Sequence, residues 1–275
     1  MVTAQTITQL EKAQRFRELH QRPGAFVIPN PWDVGSTRIL AGLGFKALAT
    51  TSAGSAFALG KKDGCLGRET VLAHARTIAS ATDLPVSADL ENCFGNDPAT
   101  VAETIRLAAQ TGLAGGSVED FSGDASKPIY DFNHAVERVH AAAEAAHSLP
   151  FPFTLTARAE NYLHGRPDLD DTIRRLQAFE RAGADVLFAP GLADLAIVKT
   201  ICSQISKPVN VIAKRNFSVE ELAAAGVRRI SLGSILTRVA LDAFMRAAKE
   251  ISKQGTFTFI EDSMLSAEIS SFMER

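Results

Sequence analysis

Eight short apolar runs recur along the chain, and stretches with helical periodicity separate them. A strand followed by a helix, repeated at intervals of about thirty residues, is the pattern of an α/β fold with a parallel sheet. The repetition limits the chain to few architectures. The eight predicted strands are 25–28, 47–51, 86–89, 115–119, 153–158, 186–189, 209–213 and 229–233.

Four of these strands are preceded by a similar glycine, which points to one repeated unit. Gly44, Gly112, Gly183 and Gly226 each stand at the predicted end of a helix, a position where a left-handed residue commonly terminates a helix. Eight such units predict a closed (β/α)8 barrel, a TIM barrel, over residues 1–254. A doubly wound open sheet is the alternative.

The charge and cysteine content exclude several classes of protein. The 29 basic and 31 acidic residues give a net charge of -2 and form no basic stripe, so neither nucleic acid nor an anionic membrane is expected as a partner. The three cysteines lack Cys-x-x-Cys spacing, which disfavours both a disulfide framework and structural zinc. No apolar run has the length of a signal peptide or membrane span, and we expect a cytoplasmic protein.

Acidic residues cluster where two predicted strands end. Asp89 and Glu91 follow the third strand, and Glu119 ends the fourth. In a barrel these ends converge, and carboxylates held close together repel one another unless some are protonated or a divalent cation neutralises them. Oxygen ligands are preferred by Mg²⁺, with Mn²⁺ as a substitute, and the two-residue spacing predicts Asp89 and Glu91 on the same side of a strand. We expect Asp89 to bind the metal directly and the others to hold its waters.

Further polar residues are expected at the same end of the barrel. Arg158 lies in an otherwise apolar strand, and its planar guanidinium suits a substrate carboxylate or an enolate oxygen. Glu160 and Asn161 follow it, and Thr51, Ser52 and Ala53 offer hydroxyl and backbone N–H groups. Taken singly, Asp89 and Glu119 are equally well explained as caps of the helices that follow them.

Several ordered motifs together resemble the isocitrate lyase and phosphoenolpyruvate mutase superfamily. The resemblance covers about residues 25–250. It is carried by segments 44–48 and 58–63, by Asp89-Leu90-Glu91-Asn92-Cys93-Phe94-Gly95, by Gly116-Ser117-Val118-Glu119-Asp120 and by Thr156-Ala157-Arg158-Ala159-Glu160.

The resemblance implies a barrel that binds Mg²⁺ and a 2-oxo acid or its enolate. It implies that Asp89 is the direct metal ligand, with Asp63, Glu91 and Glu119 holding metal-bound water. Arg158 then matches the substrate arginine, and residues 51–53 match the carboxylate-binding segment. It also implies a homo-oligomer, a dimer or a tetramer, in which the eighth helix is exchanged between subunits. We expect the apolar tail 255–275 at a subunit interface.

One departure from the family pattern narrows the expected chemistry. The lyases of this superfamily carry a catalytic cysteine in the loop after the fourth strand, but residues 121–130 contain neither Cys nor His. The asparagine-bearing loop of the phosphonate-forming mutases is missing there too. True isocitrate or methylisocitrate lyase activity is therefore not expected, and carbon–phosphorus chemistry is disfavoured.

The predicted function is that of a Mg²⁺-dependent carbon–carbon lyase for a small 2-oxo or 2-hydroxy carboxylic acid. Either decarboxylation or C–C cleavage would pass through an enolate. Arg158, Glu160 and Asp63 are the predicted catalytic residues, with Tyr130 and Lys127 as other candidate bases. The alternatives are a phosphoenolpyruvate mutase-like enzyme acting on a C–P bond, an aldolase with Lys214 as Schiff base, and an inactive barrel that only binds carboxylates.

Overall fold

A computed structural model describes residues 7–274 and contains the eight predicted strands. All eight are parallel and short, and they lie inside or at the borders of the predicted ranges. They are β1 (Phe26–Ile28), β2 (Leu48–Ala49), β3 (Val86–Asp89), β4 (Gly115–Glu119), β5 (Thr154–Arg158), β6 (Val186–Phe188), β7 (Val209–Ile212) and β8 (Arg229–Ser231).

Helices alternate with the strands and complete an α/β barrel. The described helices are α1 (Gln9–Gln21), α2 (Val34–Gly42), α3 (Ser52–Ala58), α4 (Arg68–Ser80), α5 (Pro98–Ala109), α6 (Phe132–His147), α7 (Leu169–Arg181), α8 (Leu195–Gln204), α9 (Val219–Ala224), α10 (Ile235–Gln254) and α11 (Ser266–Met273). The predicted (β/α)8 fold is thereby confirmed, and the doubly wound alternative is wrong.

The four predicted helix-ending glycines have the backbone conformation that their role requires. Gly44, Gly112, Gly183 and Gly226 have φ angles of 89°, 87°, 106° and 98°. Each is in the left-handed region, which a residue without Cβ enters at little cost. The repeated glycine therefore marks a real structural unit: it lies two or three residues after the last residue of a helix, where the chain turns into the next strand.

The strand order β1-β8-β7-β6-β5-β4-β3-β2 leaves one seam in the ring, between β1 and β2. Within the described chain no strand ladder crosses this seam. Just beyond the strands, the Ala49 N–H donates to the Pro29 carbonyl at 3.1 Å. The buried Asn30 side chain donates to the Thr50 carbonyl at 2.9 Å and accepts from the Leu232 N–H at 2.9 Å. One side chain thus links β1, β2 and β8.

The amino-terminal end of the barrel is closed by α1. Its Ala13 and Phe16 are fully buried with Ile28, Ala47 and Ala114, in a small core separate from the main one. The α1 side chains also reach the barrel helices, since Gln9 Nε2 donates to the Ala109 carbonyl at 2.7 Å and Lys12 Nζ to the Thr82 carbonyl at 2.6 Å. Apolar burial and the hydrogen bonds of Gln9 and Lys12 together close this end.

The last helix of the barrel behaves differently from the others. Of the twenty residues of α10 only Thr237 is buried, whereas apolar side chains such as Val239 and Phe244 are 62% and 68% exposed. The tail beyond it folds back, and Arg38 donates to the Met273 carbonyl, which anchors α11 to α2. None of the described helices combines the length and apolar character needed to cross a membrane.

Candidate active site

A cavity of about 220 Å³ opens at the carboxyl ends of the strands. This is the end at which loops of a (β/α)8 barrel supply side chains to a common site. Of the predicted site residues, the cavity wall contains Thr51, Ser52, Ala53, Asp63, Asp89 and Arg158. Glu91, Glu119, Glu160 and Asn161 do not line it.

Arg158 is the electrostatic centre of the site. It ends β5, and its guanidinium is ion-paired with three carboxylates. Nη1 lies 2.9 Å from Asp89 Oδ1, Nη2 lies 3.2 Å from Glu119 Oε2, and Nε lies 2.8 Å from Glu160 Oε1. One cation thus holds three anions in the places where β3, β4 and β5 end.

The carboxylates outnumber this cation, and their pKa values reflect it. Burial raises the pKa of Glu119 well above its usual range, Arg158 counteracts this, and Glu160 and Asp89 add to the rise. Burial alone would lower the pKa of Arg158, but the three carboxylates keep it above its usual range. A cation at the site would offset the repulsion among these carboxylates, which otherwise favours the protonated form of Glu119.

Asp89 is fixed at the cavity wall by contacts on several sides. Its Oδ2 accepts from the Ser52 N–H at 3.2 Å, its Oδ1 accepts from the Glu91 N–H at 3.3 Å, and its own N–H donates to Thr50 Oγ1 at 2.9 Å. These bonds tie the end of β3 to the turn that begins α3. Asp89 is therefore placed on the cavity wall by backbone groups, and the helix that follows it, α5, is capped by Asp97 instead.

Glu91 lies near Asp89 for a different reason from the one that the sequence indicated. Strand β3 ends at Asp89, and Glu91 has a left-handed φ of 50°, so alternation along a strand does not set its direction. Burial, with Asp89 and Asp63 adding to it, raises the pKa of Glu91 to about 7. Its Oε1 is buried and has no hydrogen-bond partner among the described residues. This unpaired oxygen fits a site for a hydrated cation.

The turn that carries Glu91 is strained and is held by a buried arginine. Cys93 and Phe94 have φ angles of 59° and 61°, unusual for residues with a side chain. Arg138 on α6 is almost completely buried and donates from Nη1 to the Gly95 and Asn96 carbonyls and from Nη2 to the Asn92 carbonyl. These charge-assisted bonds fix the backbone of the turn.

No three His, Cys, Asp or Glu side chains of residues 7–274 converge closely enough to form a direct metal-ligand set. The cavity offers hard oxygen donors from Asp89 and Asp63, with Glu91 behind them. Mg²⁺ often keeps several waters and takes only one or two carboxylates from the protein. The donor set therefore fits Mg²⁺ better than a fully protein-ligated metal.

A family model, phosphoenolpyruvate phosphomutase, matches residues 16–252. The chain belongs to the phosphoenolpyruvate phosphomutase family. This places it in the superfamily that also contains isocitrate lyase, as the motifs predicted.

Relatives of this family member cover most of its length. A crystal structure of a Burkholderia cenocepacia J2315 protein, provisionally named a lyase/mutase, is 54% identical, covers 97% of each chain and superposes with a TM-score of 0.95. An uncharacterized protein of Mycobacterium tuberculosis H37Rv is 31% identical over 86% of this chain and 88% of its own. The oxaloacetate decarboxylase of Bradyrhizobium diazoefficiens USDA 110 is 29% identical over 72% of this chain and 69% of its own.

The remaining predicted residues of this family member lie behind the cavity wall. Glu160 and Asn161 are fully buried, and the Glu160 N–H donates to Asp120 Oδ1 at 2.8 Å. Asn161 Nδ2 donates to Asp171 Oδ2 at 2.8 Å, which connects the end of β5 to α7. Arg175 joins the two acids, with Nη1 3.1 Å from Asp120 and Nε 2.8 Å from Asp171. This network supports Arg158 from behind.

The loop after β4 lies beside this network. It starts with a bridge between Phe121 and Ile129, and the Phe121 ring stacks on His164 with centroids 3.8 Å apart. Lys127 is paired with Asp131 on the surface, and the Tyr130 hydroxyl donates to Asn96 Oδ1. Neither candidate base lines the cavity.

Several polar residues in the barrel interior were not predicted from the sequence. Asn210, Ser231 and Arg229 line the deeper part of the cavity, on β7 and β8. For Arg229 and Ser231 the signal was their two-residue spacing in Arg229-Ile230-Ser231, which places both side chains on the same face of the strand. Lys214, the lysine of the Schiff-base alternative, is not part of the cavity wall.

Proposed function

We propose that the chain is a Mg²⁺-dependent carbon–carbon lyase that acts on a small 2-oxo or 2-hydroxy carboxylic acid through an enolate, by decarboxylation or C–C cleavage. The observation that carries the proposal is the shared cavity of Asp63, Asp89, Arg158 and residues 51–53. An acidic group, a cation and backbone N–H donors within about 220 Å³ suit a small anionic substrate and its metal. Kinship with an oxaloacetate decarboxylase supports the reaction class.

The proposed metal site uses Asp89 as the direct ligand, with Asp63, Glu91 and Glu119 holding water around the ion. The unpaired Glu91 Oε1 and the excess of carboxylates over Arg158 support this assignment. When bound, Mg²⁺ supplies Lewis-acid stabilisation of the negative charge that develops on the substrate oxygen. Mn²⁺ offers the same chemistry.

The protein's own groups would bind and orient the acid. Thr51, Ser52 and Ala53 lie on the cavity wall with hydroxyl and backbone N–H groups for one substrate carboxylate. Arg158 lines the same cavity and would stabilise the enolate oxygen by a charge-assisted hydrogen bond, the usual way of lowering such a barrier. Glu160 contacts Arg158 but not the cavity, so we propose that it positions the guanidinium.

The test is metal-dependent turnover with matched variants. Wild-type protein with Mg²⁺ should release pyruvate from oxaloacetate well above the rate of the metal alone, and Asp89→Asn should lose at least about 100-fold of that activity, the scale of one lost electrostatic contact in an active site. Asp83→Asn removes the same charge from an exposed position and should retain full activity. Equal rates for wild type and Asp89→Asn would refute the enzyme assignment.

Mass spectrometry distinguishes the two reactions. A panel of 2-oxo and 2-hydroxy di- and tricarboxylates should yield either CO₂ with a shortened acid or two carbon fragments. Binding without any product across the panel would favour the carboxylate-binding barrel, and conversion of phosphonopyruvate would favour the C–P enzyme.

We further propose that a second copy of the chain covers α10. The helix has the length and position of the eighth barrel helix, yet it exposes Val239, Phe244 and Met245. Apolar side chains in such number on one surface typically form an interface. Light scattering should give the mass of a dimer or tetramer, and Phe244→Asp should reduce it. A monomeric wild type would exclude helix exchange.

A further inference from the structure

Arg229 lies in the barrel interior, in the deeper part of the cavity. It begins β8, lines the cavity and is only 5% exposed. Its Nε donates to Asn210 Oδ1 at 2.9 Å on the neighbouring strand, and its Nη2 donates to Thr156 Oγ1 at 3.0 Å on β5. The guanidinium therefore extends from one side of the barrel towards the other, at the floor of the cavity.

The charge of Arg229 is uncompensated. Among the described residues no carboxylate lies within 4.0 Å of it, whereas Arg158 has three. Its hydrogen-bond partners are a neutral amide and a neutral hydroxyl, and Nη1 is buried without a partner in the described part of the chain. A buried cation without a counter-charge is costly, and its neutralisation by an anion is correspondingly favourable.

The groups around Arg229 give it no other anion. Burial and Arg158 lower the pKa of Arg229 to about 9, so it stays protonated at neutral pH. His20, on α1 at the closed end, has a pKa lowered to about 3 by burial and then by Arg229, and it is therefore neutral. Asn210, Ser231 and Ser117 add neutral polar groups to the cavity wall. The floor of the cavity is cationic and polar.

We infer that Arg229 determines substrate specificity by binding a second anionic group, so that the cavity prefers 2-oxo or 2-hydroxy dicarboxylates to the corresponding monocarboxylates. The inference rests on the proposed function, in which residues 51–53 and the metal take the first carboxylate and Arg158 the enolate oxygen. The distal carboxylate would point down to Arg229. A planar guanidinium recognises a carboxylate through directed, charge-assisted hydrogen bonds.

The experiment compares two stable acids that differ by one carboxylate. Calorimetry measures the binding of malate and lactate to the Mg²⁺-loaded protein. Wild type should bind malate at least about 10-fold more tightly, and Arg229→Met should weaken malate binding by about 10- to 100-fold, as expected for a lost hydrogen bond to a charged group. Lactate binding should change less than about 2-fold, since it leaves Arg229 unused.

Two further variants separate specificity from structure. Arg228→Met removes the adjacent arginine, whose side chain reaches the Arg22 and Gly24 carbonyls outside the barrel, and should leave both affinities unchanged. Arg229→Gln removes the charge and keeps an amide donor; it carries the test if Arg229→Met does not fold. Circular dichroism verifies the fold of each variant.

The outcomes also separate this inference from the proposed lyase function. Equal losses for malate and lactate, or no preference for malate in wild type, would overturn the role of Arg229. An Arg229-dependent preference for malate in a protein that converts no acid would uphold the inference and refute the lyase. Oxaloacetate turnover with a KM that is unchanged in Arg229→Met would uphold the lyase function and refute the role of Arg229.

Discussion

The two ends of the barrel are built on opposite principles. At the closed end, Ala13 and Phe16 of α1 are fully buried against apolar strand residues. At the open end, Glu91, Cys93 and Phe94 have left-handed backbones, and buried oxygens of Glu91 and Asn161 have no partner among the described residues. Strained backbone of this kind gathers where a protein binds ligands. The closed end has no such backbone at a non-glycine residue in the described chain, although His20 Nε2 is buried there without a partner. Stability is therefore concentrated at one end, and binding at the other.

Removing the closed-end anchor should have the largest effect on stability. Phe16→Ala deletes a fully buried ring and should lower the free energy of unfolding by about 3–5 kcal/mol, measured by denaturant titration. Activity per folded molecule should stay close to wild type because the cavity lies at the other end. Phe57→Ala, at a ring that is 38% exposed, is the control and should cost much less. A large activity loss in folded Phe16→Ala would contradict the separation of stability and binding between the two ends of the barrel.

Arg138 tests whether the open end depends on its supporting turn. Arg138→Met leaves the Asn92, Gly95 and Asn96 carbonyls without their donor and should cost roughly 3 kcal/mol of stability. It should also weaken Mn²⁺ binding by about 10-fold or more, because the turn places Glu91 beside the proposed ion. Electron paramagnetic resonance measures that affinity. Arg106→Met, at an exposed ion pair, is the control, and unchanged Mn²⁺ affinity in Arg138→Met would contradict the linkage.

Cys93 gives the smallest and most local test of strain. Cys93→Gly relieves a left-handed conformation worth about 1 kcal/mol but loses a buried side chain, so its unfolding free energy should stay within roughly 1 kcal/mol of wild type. Cys93→Val forces a β-branched residue into the same conformation and should be less stable than Cys93→Gly by about 2 kcal/mol. Thermal denaturation compares the two, and equal stability would show that the turn relaxes freely.

At the open end, the sequence predicted where the strands end but not how every side chain that follows them is oriented. The bounds of β3 and β4 agree residue for residue with the prediction, because each apolar run stops at an acid that the barrel places on its rim. Asp89, Glu119 and Arg158 do come together there. The side of Glu91 was predicted from strand alternation, which does not apply to a left-handed turn held by a distant arginine.

Arg229 shows what a single short strand conceals. A three-residue strand with a polar residue at each end has the same pattern whether those residues face solvent or the barrel axis. Closure of the barrel determines which way these side chains face, because it places Asn210 and Thr156 within hydrogen-bond distance of the Arg229 guanidinium. The residue pattern of α10 did not predict its exposure either, because the apolar stripes of a packed and an unpacked helix are the same. Only the family resemblance gave a reason to expect it.

The seam between β1 and β2 has a consequence for how the barrel opens. Strand β2 contributes only two residue pairs, Leu48 with Val86 and Ala49 with Ser87, and its other edge is joined to β1 by one backbone bond and the Asn30 amide. Amide hydrogen exchange by local opening should therefore be faster at Ala49 and Thr50 than in β4 or β5. Residues 51–53 continue from this edge, so local opening of β2 would shift the proposed carboxylate-binding segment without unfolding the ring.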